Sequence, residues 1–327
     1  LVEGLQPTYK TIANFRKSNS AALTATNRDF LLLCKELSLF GAEEVGVDGS
    51  FFKADANKEG IYTEQKLADQ LKSLEKKITV YQDALDQQDA ADDKVDQGCQ
   101  AEDAQLQEKL LLLKARQAQK EALQQQLKDS GNKQISTVDR DARLLTKRGQ
   151  TVAGYNVQIA VDSQHKLIVA QDVTQDGNDT QLLAPMLEKA QEIVEAENLT
   201  GLADSGYYNG TQLKACEDQN ISVYVAIPDK SKEIARQQRF TREQFQYDKE
   251  QDCYHCPQGK PLNRCGKPRQ VKDKTYLAYK SKRSVCNQCC LREQCLTQKA
   301  KLKTIERWEH EAVIERHQAR MKAKPQA

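Results

Sequence analysis

The chain has 327 residues, of which 39% are hydrophobic and 29% charged, with a formal net charge of +2 and ten cysteines. This length accommodates one large domain with insertions, and the apolar content is enough for a core without any membrane-length apolar run. No basic segment followed by an apolar stretch opens the sequence, so secretion lacks support and a cytoplasmic compartment is expected.

Residues 1–40 read as helical, with Phe30-Leu31-Leu32-Leu33 at a helix end. Glu44-Val45-Gly46-Val47-Asp48-Gly49-Ser50 predicts a buried strand ending on Asp48, followed by small residues that leave room for close approach. Leu67, Leu71, Leu74, Ile78, Tyr81 and Leu85 alternate steps of four and three, a heptad seam. An acidic stretch follows from Asp83 to Asp96 with Gly98 nearby, and Leu106, Leu110 and Leu113 begin a second helical run that reaches Leu127. Together, residues 63–139 predict an antiparallel helical hairpin with arms of about thirty residues, roughly 45 Å long. Such a seam serves packing within the chain or a dimer contact, and its acidic tip would repel phosphates.

Gly154 to Ala170 reads as two β-rich runs joined by Asp162-Ser163-Gln164-His165, a hairpin signature. After Asp179-Thr180-Gln181, the residues Leu182, Leu183, Met186, Leu187, Ala190, Ile193 and Val194 recur at helical spacing. Leu199 to Asp204 predicts a second Asp-terminated strand, followed by a helix and the strand Val223–Ile227. Two carboxylates delivered side by side by a sheet are a means of holding hard divalent cations for phosphodiester chemistry. A strand-ending Asp also serves as a turn former or helix cap, and spacing alone does not separate these roles.

Cys34, Cys99 and Cys216 are scattered and read as small buried or incidental thiols, whereas seven cysteines crowd into Cys253 to Cys295. Cys253-Tyr254-His255-Cys256 and Cys286-Asn287-Gln288-Cys289 are two CxxC knuckles. By spacing alone, Cys253, Cys256, Cys286 and Cys289 would supply a tetrahedral thiolate site. Disulfides are the alternative, disfavoured for a cytoplasmic protein with clustered CxxC pairs, and neither pair opens a helix after a strand as a redox CxxC does. From Cys253 onward eighteen Lys and Arg face six Asp and Glu, a net of about +12 that leaves about −10 for the rest. This basic C-terminal segment is the candidate DNA-facing surface.

Val47-Asp48-Gly49-Ser50, Asp139-Arg140-Asp141-Ala142-Arg143, Gly154-Tyr155-Asn156-Val157-Gln158, Gly177-Asn178-Asp179 and Ala203-Asp204-Ser205-Gly206-Tyr207-Tyr208 resemble, in order, the DDE transposases of bacterial insertion sequences. The resemblance runs from about Val45 to the C-terminus. It implies an α/β, RNase H-like (retroviral-integrase-like) core of residues 41–62 and 140–228, interrupted by the helical hairpin. Asp48 and Asp204 would be the first two members of an Asp-Asp-Glu triad holding two Mg²⁺ (or Mn²⁺) ions, with water and then a DNA 3′-hydroxyl as nucleophiles. The implied partners are DNA, as transposon ends and target, and a second copy in a homodimer, with a nucleoid-associated location and no membrane.

In similar transposases the third acid lies in an Arg-x3-Glu-x6-Lys helix, which this sequence lacks. Glu311 follows Arg307 at the first interval without a Lys at the second, and is read as a decoy. Both ends of the chain read as cuts through a longer protein: residues 1–40 would link to an absent N-terminal DNA-binding region, and 301–327 would open a helix-rich segment leading to the missing Glu. Low or absent activity is expected on that reading. The resemblance also implies a cysteine-rich, zinc-binding insert over 229–300 with structural Zn²⁺ on Cys256, Cys286, Cys289 and Cys295. That insert would present Lys267, Arg269, Lys272, Lys280, Lys282 and Arg283 to DNA, although a charge run is also an ordinary solvated face. Asn156, Gln158 and Asp179 are expected to support the aspartates or to serve as turn and cap residues, and His255, His310 and His317 are read as surface residues. A catalytically dead, zinc-containing DNA-binding or regulatory protein and a stand-alone Mg²⁺ nuclease are the competing functions.

Overall fold

A computed structural model describes residues 4, 6–41, 43–92, 100–147, 149–229 and 239–324. The architecture is mixed α/β, and the chain divides into two compact units, Leu1–Asp48 with Ile159–Gln171 and Asp179–Ala327, and Gly49–Gln158 with Asp172–Asn178.

In the first unit, α1 (Tyr9–Ser18) and α2 (Ser20–Glu36) lead to β1 (Glu44–Lys53), whose opening half lies here. The sheet is completed by the end of β5 (Gln150–Asp162), the start of β6 (Ile168–Thr174), β7 (Thr200–Ala203) and β8 (Ser222–Val225), in the order β6-β5-β1-β7-β8. The β1–β7 and β7–β8 pairs are parallel. Parallel neighbours need a helical crossover, and α5 (Leu183–Val194) and α6 (Gly210–Asp218) precede and follow β7. The periodic residues of α5 are its buried face: Leu183, Met186, Leu187 and Ala190 pack with Val45, Val47, Leu199, Val223 and Val225 into one core. Gly201 allows this packing, because a Cβ there would stand 2.5 Å from Leu187 Cδ1.

The strand carrying Asp48 does not end on it, as the sequence predicted, but continues to Lys53. What ends at that level is its pairing with β7, whose last in-register pair is Val47 with Ala203.

The same unit carries a second sheet, β12-β13-β11-β10-β9 with β14 paired to β13, built from β9 (Gln246–Asp248), β10 (Cys253–His255), β11 (Pro261–Arg264), β12 (Arg269–Val271), β13 (Lys274–Lys280) and β14 (Thr304–Trp308). Its small core holds Phe245, Tyr254, Leu262, Tyr279 and Ile305. Short helices α7 (Arg283–Asn287) and α8 (Arg292–Cys295) carry Cys286 and Cys295, with Cys289 and Cys290 between them. The segment expected to open as helix from Lys301 first supplies β14, because Ile305, Arg307 and Trp308 are buried on an antiparallel pairing with β13. Helix follows only at α9 (Glu311–Ala323), which packs against α6 and β8.

In the second unit β4 (Arg143–Lys147) pairs antiparallel with the start of β5. β2 (Ile61–Thr63) and β3 (Gln134–Ser136) form a two-stranded base for α3 (Glu64–Asp92) and α4 (Gln100–Ser130), which pack on each other. Along the heptad seam Leu67 and Ile78 are buried, and Leu71, Leu74, Tyr81 and Leu85 are half-buried; Leu127 of α4 is also buried. The acidic stretch reaches into residues 93–99, and Gly98 lies there too, outside the described residues.

Candidate functional site

The register of β1 and β7 decides where the two aspartates go. Val47 faces Ala203 across the parallel pair, so Asp48 of β1 and Asp204, the first residue after β7, each directly follow the last in-register pair. Both are exposed. Asp204 also has the alternative role: its Oδ1 accepts the Gly206 N–H at 2.8 Å and caps the 3₁₀ turn Ser205–Tyr207. One oxygen thus fixes the carboxylate, and the cap does not use the other. Asp179, buried just before α5, lies beside this turn, its Oδ2 3.7 Å from where a Cβ on Gly206 would stand. Asn156 and Gln158 share a face of β5, fully buried, with Gln158 Nε2 donating to Asn156 Oδ1 at 2.9 Å and Asn156 Nδ2 to the Asp176 carbonyl at 3.2 Å.

Cys256, Cys286, Cys289 and Cys295 line one small cavity of about 40 Å³, with Leu262, Ser281, Arg292 and Lys303 in its wall. Cys253, which the spacing-only set would use, does not line it. The turn after Cys256 is tied by Gly259 N–H to the Cys256 carbonyl at 2.7 Å, and Ser281 Oγ lies 2.9 Å from Cys286 Sγ. Burial pushes the Cys295 thiol up, Lys303 opposes this, and the sulfurs of Cys286, Cys256 and Cys289 reinforce it. The four cysteines thus share one cavity wall with two basic side chains, Arg292 and Lys303. The cysteines resolved among the described residues are free, Cys34 and Cys216 are buried, and Cys99 lies outside those residues.

Lys267, Arg269, Lys272, Lys280, Lys282 and Arg283 are all exposed, on or beside β12, β13 and α7. Arg269 is paired with Glu306 at 2.8 Å.

The sequence matches the family model for the transposase DDE domain over residues 127–322, well over half of the chain. The chain belongs to the DDE transposase family. Its general function is therefore that of a transposase, and its substrate is DNA. The matched stretch contains Asp204 and all four cavity cysteines and begins after Asp48. No curated protein and no solved structure matches the chain. Among the described residues, no helix of this transposase is long and apolar enough to cross a membrane.

Glu311 of the transposase is committed elsewhere: its Oε1 pairs with Arg242 at 3.0 Å and its Oε2 accepts the Trp308 N–H at 3.2 Å at the start of α9. Two histidines read as surface residues are not. His317 is fully buried, and burial with the Arg320 charge lowers its pKa to about 4. His255 lies 3.6 Å from both Asp248 and Cys253. Sequence reasoning also missed Arg307, buried and held by Tyr254 at 3.0 Å and by Glu315 at 2.5 Å. The alternation around Cys253 and His255 was the available signal for that group, whereas nothing local marks His317 or Arg307 as buried.

Proposed function

We propose that this transposase cleaves and joins DNA at insertion-sequence ends with Asp48 and Asp204 as cation-holding carboxylates of an RNase H-like core. The observation that carries the reading is the register of β1 and β7, which pairs Val47 with Ala203, the residues immediately before the two aspartates. The strand order β6-β5-β1-β7-β8, with a hairpin feeding a parallel trio, supports the RNase H-like assignment. Two exposed carboxylates, one on β1 and one at the turn that follows β7, are a hard oxygen donor set that fits Mg²⁺ or Mn²⁺. Such a cation, when bound, activates water and neutralises charge on a phosphate. The residues' own contributions are distinct: Asp48 presents its carboxylate from mid-strand, whereas Asp204 is oriented by its cap to Gly206.

Among the described residues no third His, Cys, Asp or Glu completes a metal-ligating group with these two aspartates. Weak cation binding and low activity are therefore expected of this site. The same observation favours a second reading, a zinc-containing DNA-binding or regulatory protein without cleavage. Mn²⁺ binding followed by electron paramagnetic resonance on the full chain separates the two. On the first reading Asp48→Asn and Asp204→Asn each weaken binding by about tenfold or more while DNA retention on a filter is unchanged; unaltered Mn²⁺ binding in both variants would sink it.

Zinc on Cys256, Cys286, Cys289 and Cys295 would hold α7 and α8 against the second sheet and fix the basic side chains for DNA contact. The helix pair α3/α4 is assigned to homodimerisation, supported by exposed Leu111, Leu112 and Val80. An unchanged mass by light scattering after deletion of the pair would remove that role.

A further inference from the structure

In the antiparallel pair β9–β10, Cys253 lies directly opposite Asp248. Opposed residues share a face, and so do residues two apart along a strand, so Asp248, Cys253 and His255 belong to one face. Tyr254 and Cys256 alternate to the other, where Tyr254 enters the aromatic core and Cys256 lines the thiol cavity. One hairpin therefore serves two different surroundings.

The ligand atoms of Asp248, Cys253 and His255 all lie within 4.8 Å of one another. His255 Nε2 is 3.6 Å from Asp248 Oδ2 and 3.6 Å from Cys253 Sγ. Asp248 Oδ1 accepts the N–H groups of Glu250 at 2.9 Å and Gln251 at 3.1 Å, which orients the carboxylate with Oδ2 toward the imidazole. A nucleophilic relay would need the acid and the thiol on opposite nitrogens of the ring, and here both converge on Nε2. Cys253 is also 2% exposed, and its burial beside the charges of Asp248 and Asp252 disfavours a free thiolate. Around a tetrahedral ion with bonds of about 2.0–2.3 Å, ligand atoms stand about 3.3–3.8 Å apart, and both separations from His255 Nε2 fall in that range.

We propose that Asp248, Cys253 and His255 form a second transition-metal site of the zinc class, distinct from the four-thiol cavity, with a fourth position open to water. One sulfur, one imidazole nitrogen and one carboxylate oxygen make a mixed set that suits Zn²⁺ or Co²⁺ and not Mg²⁺. Binding displaces the Cys253 thiol proton to solvent, and the charge of the ion then offsets the acidic neighbours that disfavour the bare thiolate. Asp248 and His255 are half-buried, which gives the ion a route in. The assignment does not depend on zinc at the other cysteines.

The test is to strip the full chain of metal under reducing conditions, reload it with Co²⁺ and count equivalents by mass spectrometry and visible absorption. Wild type is expected to bind two equivalents. Asp248→Asn, His255→Ala and Cys253→Ser should each lose one equivalent and keep the intense four-thiolate band, and Cys289→Ser should lose that band and keep the weaker one. Should His255→Ala fail to fold by circular dichroism, His255→Gln serves in its place. An unchanged count in the Asp248 and His255 variants overturns the site even if Cys253→Ser loses metal, because Cys253 would then belong to a thiol-only set. If wild type binds a single equivalent that His255→Ala abolishes and Cys289→Ser does not, the four-thiol reading fails and this one stands.

Discussion

His317 on α9 accepts a hydrogen bond at Nε2 from the backbone N–H of Val225, 3.1 Å away at the end of β8. This places the ring's proton on Nδ1, a buried donor for which no partner is found among the described residues. The contact fastens α9 to the edge of the sheet that carries Asp204, and it requires a neutral imidazole. With a folded-state pKa near 4 against 6.5 for the free side chain, the unfolded chain takes up the proton first as pH falls. Stability from this group is full above pH 6.5 and declines toward pH 4, by about 3 kcal/mol in all. Urea melts at pH 7 and pH 5 should show the loss in wild type, and His317→Gln should be less stable at pH 7 but flatter with pH. Parallel pH profiles would contradict the assignment.

The close approach of α5 to β7 sets a limit on side-chain size. Gly201→Val would place carbon inside the Leu187 side chain and is expected to cost about 1–3 kcal/mol through overpacking, whereas Leu187→Ala leaves a cavity and costs about 2–5 kcal/mol. Combining the two should cost less than their sum, since the smaller residue vacates the space the valine needs. A thermal-melt cycle on the four proteins checks this.

Asp252 is the polar hub of the second sheet, its Oδ1 accepting Tyr279 Oη at 2.6 Å and Tyr247 Oη at 2.8 Å. The Tyr279 and Tyr247 hydroxyls hold its carboxyl below the usual range, so its stabilising contribution is present above about pH 4 and lost as pH falls further. Asp252→Ala strands two hydroxyls among packed rings and is expected to destabilise by about 1–3 kcal/mol, read from tyrosine near-ultraviolet circular dichroism during urea unfolding.

Metal removal should act on the same sheet. With zinc on the four thiols, chelation or Cys289→Ser is expected to lower the melting temperature and abolish the near-ultraviolet signal of Tyr247, Tyr254 and Tyr279, whose ring centroids lie 5.0–6.0 Å apart. The helical signal of α3 and α4, two long helices elsewhere in the chain, should persist. A chelator-treated protein with unaltered tyrosine ellipticity would remove zinc from the structural account.

The sequence by itself determined those features written in local periodicity. The helical spacing from Leu183 to Val194 is the buried face of α5, and the β-rich runs around Asp162 are a hairpin, because burying one face of a helix or strand leaves a repeat in the chain. The family motifs around Asp204 and the cysteines were legible for the same reason, being short and contiguous. Tertiary structure alone decided register and partnership. That the residues just before Asp48 and Asp204 lie opposite each other follows from the pairing of Val47 with Ala203, across more than 150 residues of intervening chain. That residues 304–308 form a strand follows from β13 offering an edge, and that Glu311 is held at a helix start follows from Arg242. His317 and Arg307 look like surface residues because their own segments are polar, and only packing against β8, Tyr254 and Glu315 buries them. Contacts of this kind join residues far apart in sequence, where no periodic pattern records them, and burial is settled by what arrives from elsewhere in the chain.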